Sequence, residues 1–277
     1  MTPRTDTDTD TDTGTKADTA SVAAWLDEPS ALPAPELLAE LAEPIAEEAV
    51  LGRAQMDRLL DPAALPGENG WCWTRERIAY VAIRTPLPGH TAEMWDWWFD
   101  WHPRDSMRYR VWYPDAHFGT RLVEPAVPGA KPFWGTTHFA DEDIGVGRDV
   151  ARIEFLPPSR YGFSTDALDD PRVGTIVGGF AGSASRRVRV GVMTHVFLRD
   201  GDGLVLRSRF WLGDGLRPDL PGALGDAAAR VLNRPALRRR LLPADLPRAL
   251  AHHCAHEYAR LGGLLPRLYD EFGPPSR

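Results

Sequence analysis

The chain's pattern predicts an α+β fold, a curved antiparallel sheet wrapped around one long C-terminal helix. Three observations carry this expectation. Between Ala244 and Glu271, residues Leu246, Leu250, His253, Glu257, Leu261, Leu264 and Leu268 recur at spacings of three and four, which stacks them on one helical face. Val188–Leu198 and Leu204–Leu212 are long strand-like runs joined by Asp200-Gly201-Asp202-Gly203, the strongest hairpin signal present. Ahead of that hairpin, several shorter strand-like segments follow one another at short intervals.

Taken in order, Met1 to about Thr19 is a Thr-Asp repeat with almost no apolar content. Such a segment buries too little surface to offset its ordering entropy, so residues 1–20 are expected to be a disordered tail. Residues 21–70 are expected to form a small helical N-terminal region. There Ser30, Leu32, Pro33, Pro35 and Glu36 mark a helix entry, followed by Leu37, Leu38, Leu41 and Ile45. From about residue 71 the main domain begins, running to 277. Ile78–Arg84 alternates like a strand. His90–Trp101 reads as an aromatic-rich helix with Met94, Trp97, Trp98 and Trp101 on one side, ended by His102-Pro103. Strand-like segments are expected at Met107–Tyr113, Phe133–Phe139, Val150–Phe155, Tyr161–Ser164 and Val173–Phe180 before the hairpin. Pro243–Pro247 then opens the final helix. A sheet closing over a helix in this order is the helix-grip (Bet v 1/START-like) arrangement, which encloses a ligand cavity between its concave face and the helix. His253 and Glu257 would face that cavity.

Composition narrows the function classes. With 277 residues, 43% of them hydrophobic, the chain is ample for one large domain with a smaller appendage. A net charge of -7 and a pI near 5.6 lack the basic footprint of a general nucleic-acid binder. Cys72 and Cys254 are the only cysteines, so any transition-metal site must be built from His and carboxylates. No apolar run reaches the ~18 residues of a membrane span, and no charged-then-apolar leader is present. A soluble cytoplasmic protein is expected, with the helical N-terminal region able to support a homodimer.

An ionised Glu among buried leucines is costly unless a cation or donor compensates it. His253 and Glu257, four residues apart, are neighbours on the helix and can close on one metal ion. A core His–Glu pair is the alternative. His117 follows the turn Pro114-Asp115-Ala116, His138 sits in Thr136–Asp141, and His195 lies mid-strand. His195 shares its face with Arg189, Met193 and Phe197, which leaves its buried side open.

The run Trp98-Phe99-Asp100-Trp101-His102-Pro103, then Arg108-Tyr109-Arg110, then Pro114-Asp115-Ala116-His117, resembles the 2,4-diacetylphloroglucinol hydrolase and phloretin hydrolase family, as does the final His253-x-x-x-Glu257 pair. The resemblance covers the chain from about Ser21 onward. It implies a helix-grip hydrolase that breaks a carbon–carbon bond between an acyl group and a phloroglucinol ring with a bound zinc ion (Zn2+). The implied metal ligands are His117, Glu154, His253 and Glu257. The alternation of Ile153 and Phe155 against Arg152 and Glu154 by itself puts Glu154 on the solvated face, with Glu142 and Asp143 as fallback ligands. Tyr109 is implied to hydrogen-bond a ring hydroxyl, and His195 or Glu154 to move protons.

This chain departs from the family in two places. It has Thr120 where the family carries an Asn, and Phe210-Trp211 near a second substrate-binding tyrosine. Thr120, Phe210 and Trp211 therefore stand as substrate-binding candidates for a different acyl phenol or β-diketone. Trp97, Trp98, Trp112 and Trp211 are expected to help wall the pocket. Two rivals share the fold: a non-enzymatic carrier of a hydrophobic small molecule, and a metal-free polyketide aromatase or cyclase.

Overall fold

In a computed structural model, the described residues are 21–125, 127, 129–164 and 169–275; the Thr-Asp repeat lies outside them. Among them, eight strands form one antiparallel sheet: β1 (Gly70–Trp73), β2 (Ala79–Leu87), β3 (His117–Val123), β4 (Thr137–Glu142), β5 (Asp149–Phe155), β6 (Val173–Ser183), β7 (Val188–Asp200) and β8 (Gly203–Pro218). Their spatial order is β1-β2-β8-β7-β6-β5-β4-β3. The β7–β8 hairpin is the backbone of this sheet. Asp200 pairs with Gly203 across the turn, and Gly201 takes the positive φ of 58° that the tight reversal needs.

Six α-helices accompany the sheet: α1 (Pro35–Glu40), α2 (Ala92–Trp101), α3 (Ser106–Trp112), α4 (Gly222–Leu232), α5 (Pro235–Leu241) and α6 (Leu246–Phe272), counted among the described residues. Helix α6 runs over the concave face. Its expected inner stripe is buried from Leu246 through His253 and Glu257 to Leu268. Strand alternation sorts the rest into two cores. Val81 and Ile83 of β2, Phe197 of β7 and Leu206 of β8 face α6. Tyr80, Val192, Val196 and Trp211 face the opposite way, under Leu51, Met56, Leu59 and Leu60 of the N-terminal segment. The sheet is thus covered on both faces, and the N-terminal segment packs as a cover of the outer face. Arg207 fixes it there by donating to the carbonyls of Leu59 at 2.9 Å, Asp61 at 2.5 Å and Ala63 at 2.9 Å.

Several expected elements differ. Met107–Tyr113 is helix, not strand. Asp105 caps it by accepting from the amides of Met107 (2.7 Å) and Arg108 (3.3 Å), and Tyr109 and Trp112, three apart, bury one helical face. In α2 the buried residues are Ala92, Trp95, Trp98, Phe99 and Trp101, so Trp98 and Trp101 are buried as expected, whereas Met94 and Trp97 are only partly buried. Phe133 lies in a turn before β4, where Gly135 has φ 89°. Tyr161–Ser164 is a turn following a 3-10 segment at Pro158–Arg160, and Tyr161 and Phe163 pack on the outer core. Strands β1 and β3 and helices α4 and α5 have no counterpart in the expected elements.

A candidate metal centre beside two chambers

His253 and Glu257 are one turn apart on α6, with His253 Nε2 3.7 Å from Glu257 Oε2. The first residue of β3 meets them: His117 Nε2 lies 3.4 Å from His253 Nε2 and 3.7 Å from Glu257 Oε2. Antiparallel pairing sets Glu142 of β4 opposite His117, and its Oε2 is 3.7 Å from His117 Nε2. Local structure fixes both rings. His117 Nδ1 donates to the Tyr109 carbonyl at 3.3 Å, and the His253 ring is held by the main chain of Asp143. Each ring therefore turns Nε2 toward the cluster, the arrangement by which outer partners orient metal-binding histidines. Asp143, a fallback ligand, acts on His253 through its charge and its backbone, while its carboxylate accepts from the amides of Gly145 and Gly147.

The donor set fits a divalent cation. His117, His253 and Glu257 offer ligand atoms all within 4.8 Å of one another, and all three are buried. The 3.4 Å between the two imidazole nitrogens matches the ~3.3–3.4 Å edge of a tetrahedron around zinc with ~2.0–2.1 Å bonds. As an all-protein cluster the group is poorly compensated. Burial holds His117 well below the ordinary imidazole range and lowers His253 to about 4. It also pushes Glu257 well up, helped by Glu142. Glu142 is raised to about 7 by burial, against a lowering hydrogen bond from Tyr109. Lone pairs facing lone pairs beside buried carboxylates are what a bound cation would satisfy.

Tyr109, on α3, stacks on His117 with ring centroids 4.1 Å apart and planes at 4°, and its hydroxyl donates to Glu142 at 2.5 Å. The cluster borders an inner chamber of about 80 Å³ whose walls include Tyr109, Trp112, Thr120, His195 and Phe210. Two further histidines, His102 and His138, line it as well. Strand parity points His195 inward with Met193 and Phe197, settling the side the sequence left open. Its Nδ1 is 2.8 Å from Ser208 Oγ, and burial lowers its pKa to about 3. His102 Nδ1 donates to the Trp98 carbonyl at 2.7 Å and His138 Nε2 is 3.1 Å from Thr136 Oγ1. The Trp112 indole N–H has no hydrogen-bond partner among the described residues. A second chamber of about 680 Å³ shares the walls Glu142, Ile153, Met193, Phe210 and Leu250 with the first.

Two expected site residues lie elsewhere. Glu154 is on the outer face of β5, in ion pairs with Arg152 at 3.0 Å and Arg189 at 3.3 Å, and Glu142 stands in the cluster instead. Trp211 follows Phe210 on β8 and so points to the outer core, its indole donating to the Leu51 carbonyl at 2.7 Å. Trp97 and Trp98 pack around α2 rather than walling either chamber. Glu142 had a legible signal: in Thr137–Glu142 the residues His138, Ala140 and Glu142 share one strand face. What the sequence could not supply was the β3–β4 register that sets Glu142 across from His117.

Comparison with known proteins identifies the family. The DAPG hydrolase PhiG domain model matches residues 51–270. A 2,4-diacetylphloroglucinol hydrolase from Pseudomonas protegens is 33% identical over 231 residues, covering 80% of this chain and 74% of its own. A phloretin hydrolase from Eubacterium ramulus is 31% identical over 200 residues, covering 70% and 68%. Among solved structures, a major latex-like protein from Panax ginseng aligns over 60% of this chain and 99% of its own, at 12% identity and a TM-score of 0.33. With its family domain matched across most of its length and two hydrolases as relatives, the chain belongs to the DAPG hydrolase family.

Proposed function

We propose that this chain is a zinc-dependent hydrolase that cleaves the carbon–carbon bond between an acyl group and a phloroglucinol-like, β-diketone ring. The observation that carries the reading is the convergence of His117, His253, Glu257 and Glu142 at the wall of a chamber that also presents Tyr109. These four residues would hold the cation. When bound, it supplies Lewis acidity, polarising an acyl carbonyl and acidifying a water.

The residues account for the rest of a retro-Claisen course. Tyr109 orients a ring hydroxyl, held in place by its stack on His117 and its bond to Glu142. An acylphloroglucinol is a masked β-diketone, so protonation of the ring carbon that bears the acyl group gives the keto tautomer. Addition of water to the side-chain carbonyl then makes a tetrahedral intermediate. Its collapse breaks the ring–acyl bond and expels the ring as a stabilised enolate. The water oxygen ends in a carboxylic acid, and a proton ends on the ring carbon. His195, anchored by Ser208, would donate a hydrogen bond to substrate in the inner chamber. The buried aromatic walls exclude bulk water.

His253→Ala tests the reading. Elemental analysis of purified protein is expected to give about one zinc per chain, lost together with turnover in the variant, whose fold is retained by circular dichroism. Full activity after chelation would favour the metal-free cyclase. Absence of metal even after zinc is supplied would favour the ligand carrier.

A further inference from the structure

The 680 Å³ chamber is far larger than an acetyl group needs; its volume is that of sites for drug-sized ligands, ~300–1,000 Å³. Its chemistry also differs from that of the inner chamber. Val146, Val190, Leu212, Leu216, Leu232 and Leu246 are typical of its walls. Most of its polar side chains are already paired, and Arg186 stands exposed to solvent at its rim. Arg148 is held by both carboxylate oxygens of Asp141, and Ser183 and Ser185 both donate to Asp149. A polyhydroxylated ring placed there would leave its hydroxyls short of partners, which costs more than the burial returns. The inner chamber offers the complementary set: Tyr109, neutral histidines and the unpaired Trp112 indole. Glu142, at the metal cluster, belongs to both, so the two chambers meet beside the cluster.

We infer that the substrate's acyl arm is a long aliphatic chain seated in the large chamber, with the hydroxylated ring directed toward the inner one. The inference rests on the hydrolase reading above and narrows its substrate class to medium- and long-chain acyl phenols. Water cleaves such a compound into the free ring and a fatty acid: hydroxyl joins the acyl carbon and hydrogen joins the ring carbon.

Zinc-loaded full-length protein is assayed with acetyl-, hexanoyl- and decanoyl-phloroglucinol. Each methylene buried in the chamber contributes about fourfold in kcat/KM, so decanoyl is expected to exceed acetyl by at least ~100-fold. An acetyl compound cleaved as well as the decanoyl one overturns the inference while leaving the hydrolase reading intact. If no acyl compound is cleaved, the hydrolase reading fails, and the chamber is tested separately by calorimetry with alkylphloroglucinols of the same lengths. Affinity that climbs with chain length upholds the chamber; flat affinity overturns it. Ala181→Phe, on a chamber wall, is expected to lower the decanoyl-to-acetyl ratio at least ~10-fold by filling the space. Val190→Phe serves if that variant does not fold. An unchanged ratio in a folded variant counts against the inference.

Discussion

Glu142 and Glu154 sit twelve positions apart on neighbouring strands, and their surroundings assign them opposite roles. Glu142 faces the cavity within 3.7 Å of His117 Nε2, while Glu154 is held between two guanidinium groups on the outer face. Glu142→Gln is therefore expected to lower zinc affinity by more than the ~10-fold commonly lost when a ligand's outer hydrogen-bond partner is removed. Glu154→Gln should leave that affinity unchanged and cost only ~0–1 kcal/mol of stability, as expected for partly exposed ion pairs. Competition with a chelating dye measures both. Equal losses in the two variants would mean that the cluster is not the metal site. On α6 the same logic separates His253 from His252 and His256. The latter two are only partly buried, and His256 Nδ1 is tied to the His252 carbonyl at 2.8 Å. Alanine at either should spare zinc binding.

At the scale of elements, α3 shows both how much of the site was legible in the sequence and where legibility stopped. The α6 stripe could be read directly, because a 27-residue helix repeats its pattern for many turns. The long hairpin was legible for a similar reason: two extended runs flank an Asp-Gly turn. A seven-residue helix shows fewer than two turns of period, and Met107–Tyr113 alternates well enough to pass for a strand. Its N-cap at Asp105 and the burial of Tyr109 and Trp112 decide the matter, and burial is a tertiary fact. Glu154 failed for a related reason, since its own strand alternation already placed it outward. Asp105→Ala removes the acceptor of two amides, so stability should fall by about 1 kcal/mol in urea unfolding. Turnover should fall further than stability does, because Tyr109 and the His117 Nδ1 acceptor both ride on this helix. Thr91→Ala, which removes the corresponding cap of α2, is the control: a comparable stability loss with less effect on kcat/KM. Matching activity losses in the two variants would count against a positioning role for α3.

Across the whole molecule, the cavity gathers five buried histidines, His102, His117, His138, His195 and His253. His102 and His195 are each lowered to about 3, chiefly by burial. His253 is lowered to about 4, and His117 and His138 are also held well below the ordinary range. The unfolded chain protonates these rings near ~6.5. Between that value and the folded-state values, the unfolded state binds protons that the folded state refuses. The stability these rings contribute is therefore complete above pH ~6.5 and is lost as the pH falls toward 4 and then 3. Glu142, raised to about 7, and Glu257, also raised, act in the opposite sense, since they take up protons in the folded state first. Five lowered imidazoles outnumber two raised carboxylates, so the balance is a net loss on acidification. For zinc-stripped protein, each uncompensated ring contributes a slope of up to ~1.4 kcal/mol per pH unit. Urea midpoints measured from pH 7.5 down to 5 should fall steadily once the pH passes ~6.5. His195→Gln should flatten that fall by about one proton, because it removes one ring that the native state keeps neutral. Midpoints that hold level or rise on acidification would show that the histidines are not held neutral in the native cavity.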